Sequence, residues 1–467
     1  MGTRSLNRCA AGGLGRCVWG ALAVLMGVSC GHTAPGCPTP EFLVPPHPAD
    51  EAQITPARIH VLVDGSGSMA GYFAPGLTNN HYRTLLRSLR DYIAGRWPTV
   101  PVDMSRFGHE PVPLDKKDEP ALTTARFYSA DCGIRKPRGC DIKQSVIGKA
   151  LREAERQPVD DLSLVFTDLF LTDDTDLAEG ADSLKAPLYQ VLNHGDRSVG
   201  VLGIETAFQG RIYDMPYAPL YFHKPKDGGV ATTRPVFVIM IGRGATVLQF
   251  YQTLRDPFLN DLHEHQRFVF YGADWSAPVQ TLAWSPHGGV AVDHGHPHLG
   301  LPVYKVSPGR YQPLTAEIAE EALQARYGAV FDSWSVHVTL WTGRERDGCE
   351  LWDRLRDEHS LGAASAVNGT LQVRMSEKAP VLRHLPAAYL YALQTEVVAG
   401  SIRATGPNAT LDDWDLDPDQ VADTVRRRPA FFPALNLKAV TGFLDRTSRE
   451  RFRPLVVARD TVVLSLD

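Results

Sequence analysis

Asp64, Ser66 and Ser68 alternate with glycines in Asp64-Gly65-Ser66-Gly67-Ser68. A carboxylate and two hydroxyls are hard oxygen donors, the kind that hold magnesium or a similar cation. A tight turn through the two glycines can aim all three side chains at one point. The bland alternative is a Gly/Ser turn in which Asp64 merely caps the segment that follows. Two other stretches offer matching chemistry. Ser145 opens Ser145-Val-Ile-Gly-Lys-Ala-Leu151, and Asp168 closes the apolar run Leu164-Val-Phe-Thr-Asp168.

Such side chains need a scaffold, and the hydrophobic pattern supplies one. Apolar runs at Ile59–Asp64, Val100–Phe107, Leu162–Phe166, Val199–Phe208 and Pro235–Ile241 read as strands. Helical spacing falls at His81–Ala94, Ser145–Glu155, Ala186–Asn193 and Thr246–Leu254, and Ala125–Tyr128 reads as a short edge strand. Fully apolar strands alternating with helices predict an α/β fold, a doubly wound and mostly parallel sheet with helices on both faces. Ligands in such sheets lie beyond the carboxyl ends of the strands, where Asp64 and Asp168 fall. The aromatic, Pro- and Gly-containing stretch 209–234 interrupts the rhythm as an insertion, with the spacing of a hairpin. After about residue 265 the pattern changes. Arg267–Tyr271, Val303–Val306, Ser335–Trp341, Leu371–Met375, Tyr389–Val398 and Leu455–Leu466 read as strands, with helical pieces at Ala316–Arg326 and Asp419–Arg427. The expected division is therefore an α/β domain at 57–265 and a β-rich, sandwich-like α+β domain at 266–467.

The Asp-x-Ser-x-Ser loop resembles the metal-ion-dependent adhesion site of von Willebrand factor A (vWA) domains. The family supplies a Thr ahead of a Thr-x-x-Gly-x-Ala-Leu helix, where this chain has Ser145. It also supplies an Asp within Thr-Asp-Gly, where this chain has Asp168 followed by Leu169. The resemblance spans residues 57 to about 260. It implies that Ser66, Ser68 and Ser145 coordinate Mg2+ (or Mn2+ or Ca2+) directly, with Asp64 and Asp168 acting through bound water. A remaining position on the cation would accept an acidic side chain from a protein partner.

The amino terminus carries a different message. Arg4, Arg8 and Arg16 precede the apolar run Val18–Val28, and small residues lead to Cys30. That is the pattern of a secretory signal at 1–29, with a run too short for the ~20 apolar residues of a spanning helix. Gly27-Val-Ser-Cys30 also resembles a bacterial lipobox, Gly27 standing where Leu is usual, and implies lipid attachment at Cys30 and anchoring in the cell envelope. Plain secretion is the alternative. Residues 30–56, with Pro35, Pro38, Pro40, Pro45, Pro46 and Pro48, read as an extended tether. Cys132 and Cys140 bracket a polar segment and could close a disulfide or remain free thiols; Cys37 and Cys349 have no pairing legible in the sequence.

A net charge of -5 and a pI near 6.3 give no basic footprint for nucleic acid. His294, His296 and His298, with His287 and Asp293, could hold a transition metal but sit among Gly and Pro as solvated loop residues would. The acidic run Asp412–Asp419 lacks the Gly and Glu of a calcium loop. No nucleophile elbow, phosphate loop or zinc-protease helix occurs, so the expectation is a binding protein and not an enzyme. Its rivals are a scaffold with an inactive metal site, and an enzyme whose chemistry lies in the C-terminal domain.

Overall fold

The computed structural model describes residues 55–128, 145–169, 182–212, 220–221, 232–277, 279–286, 291–293, 301, 303–306, 314–346, 349–357, 361–375, 389–403, 411–416, 431–435 and 437–466. The signal, Cys30, most of the tether, Cys132, Cys140 and the four histidines of 287–298 lie outside them. Among the described residues no helix is long and apolar enough to cross a membrane.

The first sheet has seven strands: β1 (Ile59–Asp64), β2 (Val102–Phe107), β3 (Pro111–Pro113), β4 (Leu162–Thr167), β5 (Ser198–Ala207), β8 (Thr233–Gly242) and β9 (Gln266–Tyr271). The short pair β6 (Arg211–Ile212) and β7 (Leu220–Tyr221) lies apart from it within the expected insertion and is antiparallel, as a hairpin requires. The sheet order is β3-β2-β1-β4-β8-β5-β9. β2 and β4 flank β1 in parallel, with Val63 opposite Arg106 on one side and Phe166 on the other. The carboxyl ends of these three strands therefore share one edge of the sheet.

The mostly parallel expectation does not hold, because the sheet is mixed. β8 enters between β4 and β5 and runs antiparallel to both. The reason is connectivity: β5 and β8 are joined through the insertion, and a direct return makes antiparallel neighbours, whereas parallel neighbours need a crossover. The crossover is present one step earlier, where a helix leads from β4 to β5 and skips the place that β8 takes.

The helices are α1 (His81–Arg96), α2 (Ile147–Arg156), α3 (Asp182–Asn193) and α4 (Gly244–Leu254). Strand side chains sort by alternation, as period-2 geometry demands. Val61 and Val63 share a core with Leu85 and Leu89 of α1 and Phe250 of α4. Leu62 shares a second core with Ile147 and Leu151 of α2 and Leu188 of α3.

Two further expectations need correction. Ala125–Tyr128 is a 3-10 helix and not an edge strand; its Phe127 and Tyr128 are both buried. Arg267–Tyr271 is not the start of a separate β-rich region. It lies within β9, pairs with β5, and completes the first sheet, since the chain leaving β8 through α4 must return to a strand.

The remaining strands are β10 (Trp284–Pro286), β11 (Ala291–Asp293), β12 (Val303–Val306), β13 (Leu314–Ala319), β14 (Val330–Arg346), β15 (Cys349–Asp357), β16 (Gly362–Val367), β17 (Thr370–Met375), β18 (Leu390–Arg403), the two-residue pair β19 (Asp415–Leu416) and β20 (Ala434–Leu435), and β21 (Leu455–Leu466). They form a four-stranded sheet, β10-β13-β17-β16, and a six-stranded one, β11-β12-β21-β18-β14-β15. Ile318 and Val373 of the first and Val338, Leu393 and Val462 of the second share one core. The expected helix from Ala316 begins only at Glu320, as α5 (Glu320–Tyr327), because Leu314, Ala316 and Ile318 alternate into that core. A last helix, α6 (Leu437–Arg451), had no sequence expectation. Its Leu437, Val440 and Leu444 pack into the core of α2 and α3, and Trp414 joins them.

The C-terminal third thus covers part of the first sheet. A fragment of residues 55–265 would lack β9, Trp414 and α6, exposing Val199, Val201 and Leu188. It is expected to lose the cooperative thermal transition of the full chain, measured by circular dichroism; an equally sharp transition in the fragment would contradict this packing.

Candidate metal centre

β1 ends on Asp64, whose carboxylate is wholly buried. Burying a charge is costly unless its oxygens find donors, and three elements provide them. The Ser66 backbone N–H donates to Asp64 Oδ1 at 2.9 Å, which folds the loop back on its own carboxylate. Ser145 Oγ, arriving just before α2, donates to Oδ2 at 2.6 Å. Thr167 Oγ1, at the end of β4, donates to the same oxygen at 3.0 Å. Ser66 Oγ and Ser68 Oγ lie 3.0 Å apart at the start of the 3-10 helix Gly67–Phe73. The five sequence candidates are all buried, none more than 3% exposed. Asp64, Ser66 and Ser68 are joined to Ser145 by these bonds. Asp168 follows Thr167 directly, and its charge is felt at Asp64.

Three residues outside the sequence candidates complete the centre. Thr167 is one. Arg106, on β2, is buried and donates from Nη1 to the Phe127 carbonyl at 3.0 Å and from Nη2 to the Gly65 carbonyl. Its guanidinium also lies 4.5 Å from the Phe127 ring centre. A Cβ on residue 65 would overlap the Arg106 side chain, so the loop needs glycine there for close approach. Arg234, on β8, pairs with Asp168: Nη1 to Oδ2 is 3.1 Å, both side chains are buried, and the guanidinium sits 5.6 Å from the Phe208 ring centre. Nothing in the spacing of Arg234 marked it. It reaches the site only because β8 runs antiparallel, which carries its first residues past the carboxyl end of β4.

Both ends of the 209–234 stretch meet the centre. Gln209 N–H donates to the Gly71 carbonyl at 3.0 Å, and Tyr72 Oη donates to the Pro235 carbonyl at 2.8 Å. The ends of the 129–144 segment do likewise, through Ser145 and through Tyr128, which stacks on Phe73 at 4.7 Å.

Leu169 replaces the glycine of the vWA pattern and carries the backbone that glycine favours, with φ at 58°. Its side chain is buried in the α2 and α3 core. Substituting Leu169→Gly trades relief of roughly 1 kcal/mol of backbone strain against a loss of roughly 2–5 kcal/mol of burial. The variant is expected to be less stable by roughly 1–4 kcal/mol in denaturant unfolding; a more stable Gly variant would show that strain dominates.

Electrostatically, burial and then the nearby Asp168 carboxylate raise the Asp64 carboxyl from 3.8 to about 6, against the lowering effect of its hydroxyl and amide donors. The folded protein therefore binds this proton more tightly than the unfolded chain. Stability from the neutral form is present below about pH 4 and is lost as pH rises through about 6. In chelator, wild type should lose on the order of 2–3 kcal/mol between pH 4 and 7 relative to Asp64→Asn. Identical pH profiles of thermal midpoint for the two proteins would refute that assignment.

Among the described residues no group of three or more His, Cys, Asp or Glu side chains gathers to hold a metal. A cation here would rest on hydroxyls joined to two carboxylates, and the donor set fits that role: hard oxygens only, converging from three segments. Compared with models of known protein families and with curated proteins, the sequence matches none.

Proposed function

We propose that this chain is a vWA-type binding protein, doubly wound with helices on both faces, that grips a protein partner through a divalent cation. The observation that carries the reading is the meeting of Asp64, Ser66, Ser68, Ser145 and Thr167, drawn from three distant segments to one sheet edge. Ser66, Ser68 and Ser145 would coordinate Mg2+, Mn2+ or Ca2+, with Asp64 and Asp168 in support. The cation would supply an electrophilic position for an acidic side chain of the partner. The stretches 129–144 and 209–234, whose ends adjoin the centre, would set specificity. The amino-terminal pattern supports a bacterial envelope protein held to the membrane by lipid on Cys30.

Titration of the full chain with Mg2+ or Mn2+ by calorimetry is expected to show one saturable site that Asp64→Ala abolishes. A crosslinked pull-down from the envelope should recover a partner that is lost both in chelator and in Asp64→Ala. Absence of saturable heat in the folded wild type would reject the reading.

A second reading is favoured by one observation, the buried ion pair of Arg234 with Asp168. It already neutralises one of the two carboxylates. On that reading the centre is a structural weld and the vWA-type half serves as a scaffold. The same titration separates the two.

A further inference from the structure

Arg234 pairs with one of the two carboxylates of the candidate cation centre. Its Nη1 is 3.1 Å from Asp168 Oδ2, with both side chains almost fully buried. Opposite it in the sheet register is Thr206 of β5, and three residues further on Phe237 faces Thr167 of β4. Arg234 therefore stands beyond the carboxyl end of β4, where its guanidinium meets Asp168. With Arg234 in place the acidic charge of Asp168 is met from within the chain. A divalent cation entering the same small, desolvated space would face a fixed positive charge, and like charges at short range in a protein interior repel strongly.

We propose that Arg234 is an internal latch: a tethered cation that competes with the hydrated divalent ion for Asp168 and must leave before that carboxylate can support the metal. The proposal rests on the cation-binding reading above and adds a regulation to it. The arrangement suits a switch. A guanidinium holds a carboxylate with directional hydrogen bonds, which keeps the closed state ordered. Its neighbour Phe208 offers a ring face to the guanidinium, at 5.6 Å, which adds an attraction to the closed arrangement. Displacement would free the guanidinium to meet an acidic group of the partner. Metal and partner would then favour the same open state, because each contributes a counter-charge that the closed state already supplies internally.

The size of the effect follows from population. A latch closed nine-tenths of the time weakens apparent metal affinity about tenfold. Arg234→Gln removes the charge and keeps a polar side chain of similar reach, whereas Arg234→Lys keeps the charge without the planar fork. The test is Mn2+ titration of the full chain, by calorimetry and by paramagnetic resonance of free Mn2+, for wild type, Arg234→Gln, Arg234→Lys and Asp64→Ala. The expected result is Mn2+ affinity at least about tenfold tighter in Arg234→Gln than in wild type, with Arg234→Lys between them and no binding in Asp64→Ala. Equal or weaker binding by a folded Arg234→Gln overturns the latch while wild-type binding leaves the cation reading standing. Absence of binding in wild type and Arg234→Gln alike overturns both. If the Gln variant does not fold, the reactivity of Arg234 in the wild type decides the matter. Phenylglyoxal modification of Arg234, followed by mass spectrometry, should accelerate at saturating Mn2+; an unchanged or slower rate rejects the latch.

Discussion

A carboxylate buried at the end of a central strand dictates much of what surrounds it. Asp64 cannot keep its charge in the interior unless each oxygen is met, and the donors come from its own loop, from the turn before α2 and from the end of β4. Those three bonds hold together segments 81 and 103 residues apart in sequence. Packing alone would bring the helices near the sheet; the polar contacts fix how far the loop, the helix start and the strand end can separate. The same contacts make the hydroxyls converge. Structural need and metal-binding capacity are therefore two consequences of one desolvated carboxylate.

The second carboxylate meets a different solution. Asp168 lies close enough to raise the Asp64 carboxyl, so two ionised acids in one low-dielectric space would oppose each other. Hydroxyl donors serve Asp64, while a full charge, Arg234, serves Asp168. Removing one partner from such a buried pair typically costs roughly 3–5 kcal/mol, because the other charge is left uncompensated. Arg106 supports the loop from the opposite side through carbonyls, not carboxylates. Two buried arginines beside two buried aspartates thus divide their work: one shapes the loop and the other sets its field.

What the sequence disclosed follows the range of each signal. β1, α1, α2, β4 and β5 were legible within a few residues, because alternation and helical spacing are local and these elements are apolar on well-defined faces. The Asp64, Ser66, Ser68, Ser145 and Asp168 set was legible because each falls at an element end, with Ser145 and Asp168 in frames that could be compared. Thr167 was in view as part of its run, yet only register beside Asp64 gives its hydroxyl a task. Arg234 was not legible at all: its role depends on β8 running against β4, and strand direction leaves no trace in local composition. The same limit hid β9, whose Phe268, Val269, Phe270 and Tyr271 are buried in succession and carry no alternation that assigns them to one sheet or another. α6 was missed because its partners, α2 and α3, lie more than 240 residues earlier in the sequence.

The backbone beside Arg234 shows why the two halves of the chain belong to one physical argument. Thr233, its immediate neighbour, donates through its hydroxyl to Glu205 on β5, and its carbonyl accepts the Phe432 N–H at 2.9 Å. Phe432 is buried in the core that also holds Val63 and Phe166, the residues next to Asp64 and Thr167. The strand end that presents the guanidinium to Asp168 is therefore clamped on one side by β5 and on the other by the C-terminal region. A side chain hung from a backbone held in this way can exchange partners by turning about its own bonds, since the ladder of β8 has contacts on both edges to keep it in register. Rigid backbone with a long polar side chain at its tip is the combination that lets a buried charge be both well ordered and replaceable. In this fold that combination comes from β8, which runs antiparallel to both of its neighbours.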